Sequence, residues 1–111
     1  MKLLSNILLL FVFAMNASAS ENGVASWYGA ENRVSATGKR LNHKVPALAH
    51  KTLPLGTMVK ITNTKTKASV IAVVEDRGPY KKGRIADLNL PAAKKLGMVK
   101  SGLAKVTVEK I

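Results

Sequence analysis

The chain has no cysteine. That excludes a disulfide scaffold, a thiolate metal site and a lipid-modified N-terminal cysteine. Carboxylates are scarce too, 6 Asp and Glu against 18 Lys and Arg. Any acid–base chemistry must therefore draw on Glu21, Glu31, Glu75, Asp76, Asp87 or Glu109. The only histidines are His43 and His50, whose spacing and lack of partners do not suggest zinc, so no metal or other cofactor is expected. Long hydrophobic runs are also missing. The apolar stretch from Ile7 to Met15 falls well short of the ~20 residues that span a bilayer.

That short run has the anatomy of a secretory signal. Lys2 supplies the positive end, Ile7 to Met15 the apolar centre, and Ala17-Ser18-Ala19 a small-residue cleavage site. Residues 1–19 are expected to be a signal peptide and residues 20–111 a single compact domain with little room for a second core. The expectation is an exported protein of the periplasm or the extracellular space, soluble and monomeric after cleavage. The net charge of +12 steers the protein towards polyanions. For an exported chain these are cell-wall glycans and anionic surfaces before they are nucleic acid, and no nucleic-acid partner is expected. A solvated basic surface that merely aids solubility is the bland alternative.

Short segments rich in β-branched residues read as strands at Val24 to Tyr28, Thr57 to Thr62, Ser69 to Glu75 and Leu103 to Glu109. The polar run 63–67 joins the second and third as a hairpin. One helix is signalled by Asn89 as N-cap, Pro91 in the first turn, Ala92 to Leu96 as its body and Gly97 as its stop. Many strands and one short helix indicate a closed or nearly closed β-barrel.

Three motifs go further: Ala25-Ser26-Trp27-Tyr28-Gly29, Ala49-His50-Lys51-Thr52-Leu53-Pro54-Leu55-Gly56-Thr57, and Asp76-Arg77-Gly78-Pro79-Tyr80 leading to Gly83-Arg84-Ile85-Ala86-Asp87-Leu88. In kind, order and spacing they resemble the rare lipoprotein A family from about Gly23 to Val108. The resemblance implies a mainly β domain, a six-stranded double-psi β-barrel, shared with expansins and some glycoside hydrolases. It also implies lytic transglycosylase activity on peptidoglycan, between N-acetylmuramic acid and N-acetylglucosamine in peptide-poor strands. Three features depart from the family pattern. There is no lipidated cysteine and no C-terminal SPOR domain, and Lys39 stands in Ser35-Ala36-Thr37-Gly38-Lys39 where the family has a glutamate.

Asp76 is the leading candidate acid/base, presented at the end of the apolar strand Val70 to Val74; a hydrogen-bonded turn residue is its plainer alternative. Strand alternation is expected to send Glu75 and Asp76 to opposite faces. His50 matches the family histidine that lines the groove, a second catalytic candidate that could orient substrate or share a proton with Asp76, and a partly buried imidazole bonded to a loop carbonyl is equally open. Asp87 is expected to be structural, bonding backbone or Arg84, and Arg77, Gly78 and Pro79 to shape the turn after Asp76. Trp27, Tyr28 and Tyr80 are the candidate sugar-contacting rings, although Trp27 also suits an anchor at the barrel end. Lys39, Arg40, Lys44 and Lys51 are placed to meet the lactyl carboxylates of peptide-free muramic acid. A non-catalytic, expansin-like glycan-binding barrel and a basic surface-coating protein remain as alternatives.

Overall fold

The computed structural model describes residues 19–28 and 44–111. The expected signal segment up to Ser18, the Ser35 to Lys39 motif, Glu31, Arg40 and His43 lie outside the described residues.

Six strands close into a barrel: β1 (Ser20–Trp27), β2 (Ala47–Ala49), β3 (Met58–Asn63), β4 (Ser69–Asp76), β5 (Arg84–Leu88) and β6 (Leu103–Lys110). A single described helix, α1 (Leu90–Lys95), sits between β5 and β6. Around the barrel the order is β1-β5-β2-β4-β3-β6, with β1–β5 and β2–β4 parallel and the remaining contacts antiparallel. The six-stranded mainly β architecture with one short helix is the expected one. The four strands read from patterning are present, shifted by at most a few residues. β2 and β5 escaped that reading, because Ala-Leu-Ala and Arg-Ile-Ala-Asp-Leu carry almost no β-branched signal.

Alternation fills the interior. Val59 and Ile61 on β3, Val70, Ala72 and Val74 on β4, and Val106 and Val108 on β6 turn inward beside Leu48 and Leu88. Helix α1 closes one end of this core with Ala92, Ala93 and Leu96, and Met98 follows it. The helix stops as its sequence indicates. Gly97 adopts φ +66, its N–H donates to Lys94 O, and Met98 N–H donates to Ala93 O, two bonds that satisfy the last carbonyls. In the β3–β4 hairpin the left-handed position is taken by Lys67, at φ 68. Asn63 Oδ1 compensates by accepting from Lys65 and Thr66 N–H, while its Nδ2 donates to Leu96 O.

Asn89 is the second buried amide. Its Oδ1 accepts from Ala92 N–H as the helix cap and from Ala47 N–H on β2, and its Nδ2 donates to Val45 O at 2.7 Å. One side chain thus joins the start of α1 to the start of β2. At Gly23 the constraint is steric, since an added Cβ would lie 2.6 Å from Ile85 Cγ2, where β1 and β5 shift register between Val24 and Ala25.

Asn89→Ala should lower unfolding free energy by about 3 kcal/mol, combining a lost cap with two stranded buried backbone groups. Asn89→Asp, which keeps the acceptor, should cost less, and urea titration of both variants checks the order. Gly23→Ala should destabilise by about 1–3 kcal/mol through overpacking against Ile85, and adding Ile85→Ala should recover part of the loss of Tm.

Candidate active site

β4 carries the sequence from the apolar core to a charged rim. Its register with β2 runs Ala47↔Val73 and Leu48↔Val74, then skips one residue to Ala49↔Asp76. Glu75 is the residue that this register skips, and its carboxylate accepts from the Tyr28 hydroxyl whereas that of Asp76 accepts from Arg77 N–H. Ala49 also pairs with Asp87 on β5. Directly paired residues share a face, so Asp76 and Asp87 flank the methyl group of Ala49. Strand spacing puts their Cα atoms about 10 Å apart. Both are partly exposed. Asp76 Oδ1 accepts from Arg77 N–H at 2.9 Å, and Asp87 Oδ1 accepts from the Ser26 hydroxyl at 3.0 Å.

The turn after β2 is fixed by side chains. His50 Nδ1 accepts from the N–H groups of Thr52 and Leu53, both at 3.1 Å. The ring proton therefore sits on Nε2, which donates to Glu21 Oε1 at 2.8 Å. Arg77 Nη1 donates to His50 O at 3.0 Å and to Leu53 O at 2.7 Å, and His50 N–H donates to Asp76 O. Of the two open readings of His50, the buried ring is the nearer to this geometry, but its partners are two loop amides and the Glu21 carboxylate instead of a loop carbonyl: the side chain is 6% exposed and both nitrogens are engaged by protein. Arg77 holds backbone, and Gly78 at φ +113 lets the chain turn away before Pro79.

Tyr28 is 8% exposed, and its hydroxyl donates to Glu75 Oε1 at 2.9 Å. Its ring is committed to a bridge between β1 and β4 instead of offering an open face to a sugar. Trp27 packs against the core and donates from Nε1 to Val99 O at 3.2 Å, the arrangement of a barrel-end anchor. Tyr80 is 77% exposed beside Gly78, so it presents an open ring on the surface and provides no burial for Asp76. Lys44 and Lys51 are exposed. Lys39 and Arg40, placed in the groove by sequence, lie outside the described residues.

The structure thus brings Asp76, Arg77 and His50 together and sets Asp87 across Ala49 from them, while Trp27, next to Asp87's partner Ser26, packs against the core. Sequence reasoning gave no part to Glu21, to the Ser26–Asp87 bond or to the Tyr28–Glu75 bond. Each joins residues separated by 29 or more positions, and no local pattern announces them. Among the described residues no three His, Cys, Asp or Glu side chains cluster as metal ligands. The chemistry on offer is proton transfer and charge stabilisation by paired carboxylates on a basic surface.

The chain is 43% identical over 100 residues to a protein of Nostoc sp. named probable endolytic peptidoglycan transglycosylase RlpA, an alignment covering 86% of this chain and 27% of that one. It is 45% identical over 97 residues to the endolytic peptidoglycan transglycosylase RlpA of Rickettsia bellii, covering 83% and 43%. The Neisseria meningitidis serogroup A protein of the same name is 44% identical over 97 residues, covering 86% and 41%. The chain spans between about a quarter and less than half the length of these relatives. Among solved structures, a substituted Clavibacter michiganensis expansin in complex with cellohexaose superposes with a TM-score of 0.69 at 16% identity, covering 84% of this chain and 50% of that one. The Streptomyces papain inhibitor does so at 0.68 and 18%, covering 84% and 94%. These two share the fold. The double-psi β-barrel family model described as lytic transglycolase matches residues 20–108, the stretch that holds β1 to β5, most of β6, both flanking carboxylates and the clamped turn, and the chain belongs to that family.

Proposed function

We propose that this protein is an endolytic peptidoglycan lytic transglycosylase, cleaving between N-acetylmuramic acid and N-acetylglucosamine in peptide-poor glycan strands and leaving 1,6-anhydro ends. The observation that carries the reading is the placement of Asp76 and Asp87 on either side of Ala49, in a family whose similar members are named for this activity. The signal-like residues 1–19 support action outside the cytoplasm, as a soluble monomer in the periplasm or beyond the cell.

Breaking the sugar bridge requires a proton for the leaving oxygen and stabilisation of an oxocarbenium-like centre. In the proposed step the Asp76 carboxyl gives its proton to the bridging oxygen as the bond from that oxygen to the muramic C1 breaks. The C6 hydroxyl oxygen of the same muramic residue bonds to C1, and its proton goes to the Asp76 carboxylate. The acid is regenerated, no water is consumed, and the products are a 1,6-anhydro end and a free 4-hydroxyl. Asp87, steadied by the Ser26 hydroxyl, offers negative charge to the developing cation, a larger part than the structural one expected from sequence.

His50 and Arg77 act by position, since the turn they hold is bonded to the Asp76 carbonyl. The open ring of Tyr80 suits a sugar face. Lys39, Arg40 and Lys51 suit the lactyl carboxylates of the strand. One feature favours a second reading, a binding barrel without catalysis: Lys39 occupies the position where the family pattern carries a glutamate.

Amidase-stripped sacculi, digested and analysed by mass spectrometry, separate the two. The wild type should release anhydro-ended fragments, and Asp76→Asn should lower their rate at least about a hundredfold while still sedimenting with sacculi. Undiminished anhydro ends from Asp76→Asn would remove the carboxyl from the mechanism. Retention on sacculi with no products from the wild type, and activity gained by Lys39→Glu, would establish the binding barrel.

A further inference from the structure

We infer that Glu21 is a substrate-binding residue, its carboxylate aimed by His50 into a rim recess where it accepts hydrogen bonds from the hydroxyl groups of a sugar unit beside the cleaved bond. The inference rests on the reading of this barrel as a glycan-cleaving domain and adds a subsite to it.

An exposed glutamate ordinarily gains little from a hydrogen-bonded partner and keeps its rotamer freedom. Glu21 is different in what holds it. Its side chain is 49% exposed, yet Oε1 accepts from Nε2 of a histidine that is only 6% exposed. That histidine cannot rotate away without stranding the N–H groups of Thr52 and Leu53, which it accepts on Nδ1. The backbone thus fixes the tautomer, the tautomer fixes the donor, and the donor fixes one carboxylate oxygen. The other oxygen, Oε2, has no partner among the described residues.

The surroundings suit a sugar. Glu21 and His50 line a recess with Ser20, Thr52, Leu53, Val108 and Lys110, and Ala19, the last residue of the expected signal segment, borders it. Leu53, only partly buried, provides an apolar wall for the C–H face of a pyranose, and a carboxylate acceptor meets its hydroxyls, the combination of apolar lining and few placed polar groups that small-ligand sites use. The recess belongs to the same rim as the proposed acid. His50, at its back, donates its backbone N–H to the Asp76 carbonyl, and Glu21 sits at the start of β1 beside Val108 near the end of β6. A strand crossing Asp76 towards β6 passes over it.

Glu21→Gln keeps a carbonyl acceptor for His50 Nε2 and removes only the charge, so a purely structural role would leave glycan affinity untouched. Titration calorimetry with a peptide-free tetrasaccharide of alternating N-acetylglucosamine and N-acetylmuramic acid, in the Asp76→Asn background to prevent turnover, reads the effect. Glu21→Gln should weaken Kd about tenfold, the scale of one hydrogen bond to a charged group. Glu109→Gln, a control on the adjoining strand, should leave Kd unchanged, and the tetrasaccharide should shift the amide resonances of Thr52, Leu53 and Val108. Wild-type anhydro-end formation combined with an unchanged Kd for Glu21→Gln would overturn the subsite and leave the enzymatic reading standing. A Glu21-dependent Kd without anhydro ends from the wild type would do the reverse.

Discussion

The turn that follows β2 takes its hydrogen bonds from two side chains, and the rest of the site depends on that arrangement. Its amides at Thr52 and Leu53 donate to the His50 ring, and its carbonyls at His50 and Leu53 accept from one nitrogen of Arg77. Peptide groups partly removed from water need such partners. The residue that receives the amides begins the turn, and the residue that supplies the guanidinium follows Asp76 immediately. Position of the acid and shape of the turn are therefore a single property: displacing either strand end breaks the bonds of both. A lysine at position 77 would present its donors on a freely rotating ammonium, whereas Arg77 Nη1 holds two N–H groups in a fixed plane.

Around this clamp the barrel solves a problem of scale. A domain with so small a core has no volume for an enclosed pocket, so its chemistry is mounted on the outside of strand ends. Ala49 is what makes that possible. It is 4% exposed and pairs with both β4 and β5, so it sets the separation of Asp76 and Asp87 on their separate strands. In the proposed reading the basic composition and the carboxylates divide the work, the lysines and arginines steering polyanions from a distance and the few acids acting at contact range.

The fold was legible where local chemistry decides it. Asn89 capped the helix it announced, Gly97 ended it, and the runs ending at Asn63 and beginning at Ser69 paired as a hairpin. β2 and β5 were illegible by pattern because their strand character comes from neighbours on both sides, including parallel partners far along the chain. The site divided in the same way. The motif residues Asp76, His50 and Arg77 could be named, but their partners could not. The skipped register at Glu75, the Tyr28–Glu75 bridge and the Glu21–His50 bond arise only when distant strands are laid side by side. Tyr28 shows the cost of reading residue type alone, because an aromatic ring suited to stacking on sugar is equally suited to reaching across a barrel wall.

The first and last strands of the barrel lie against each other, Ser20 opposite Glu109. A unit of this kind can be spliced into a longer polypeptide at a single point, as a loop is hung from a hook, without prising the barrel open. Both ends of the chain path leave from the rim that carries Glu21 and His50, so anything joined to either end begins beside that recess.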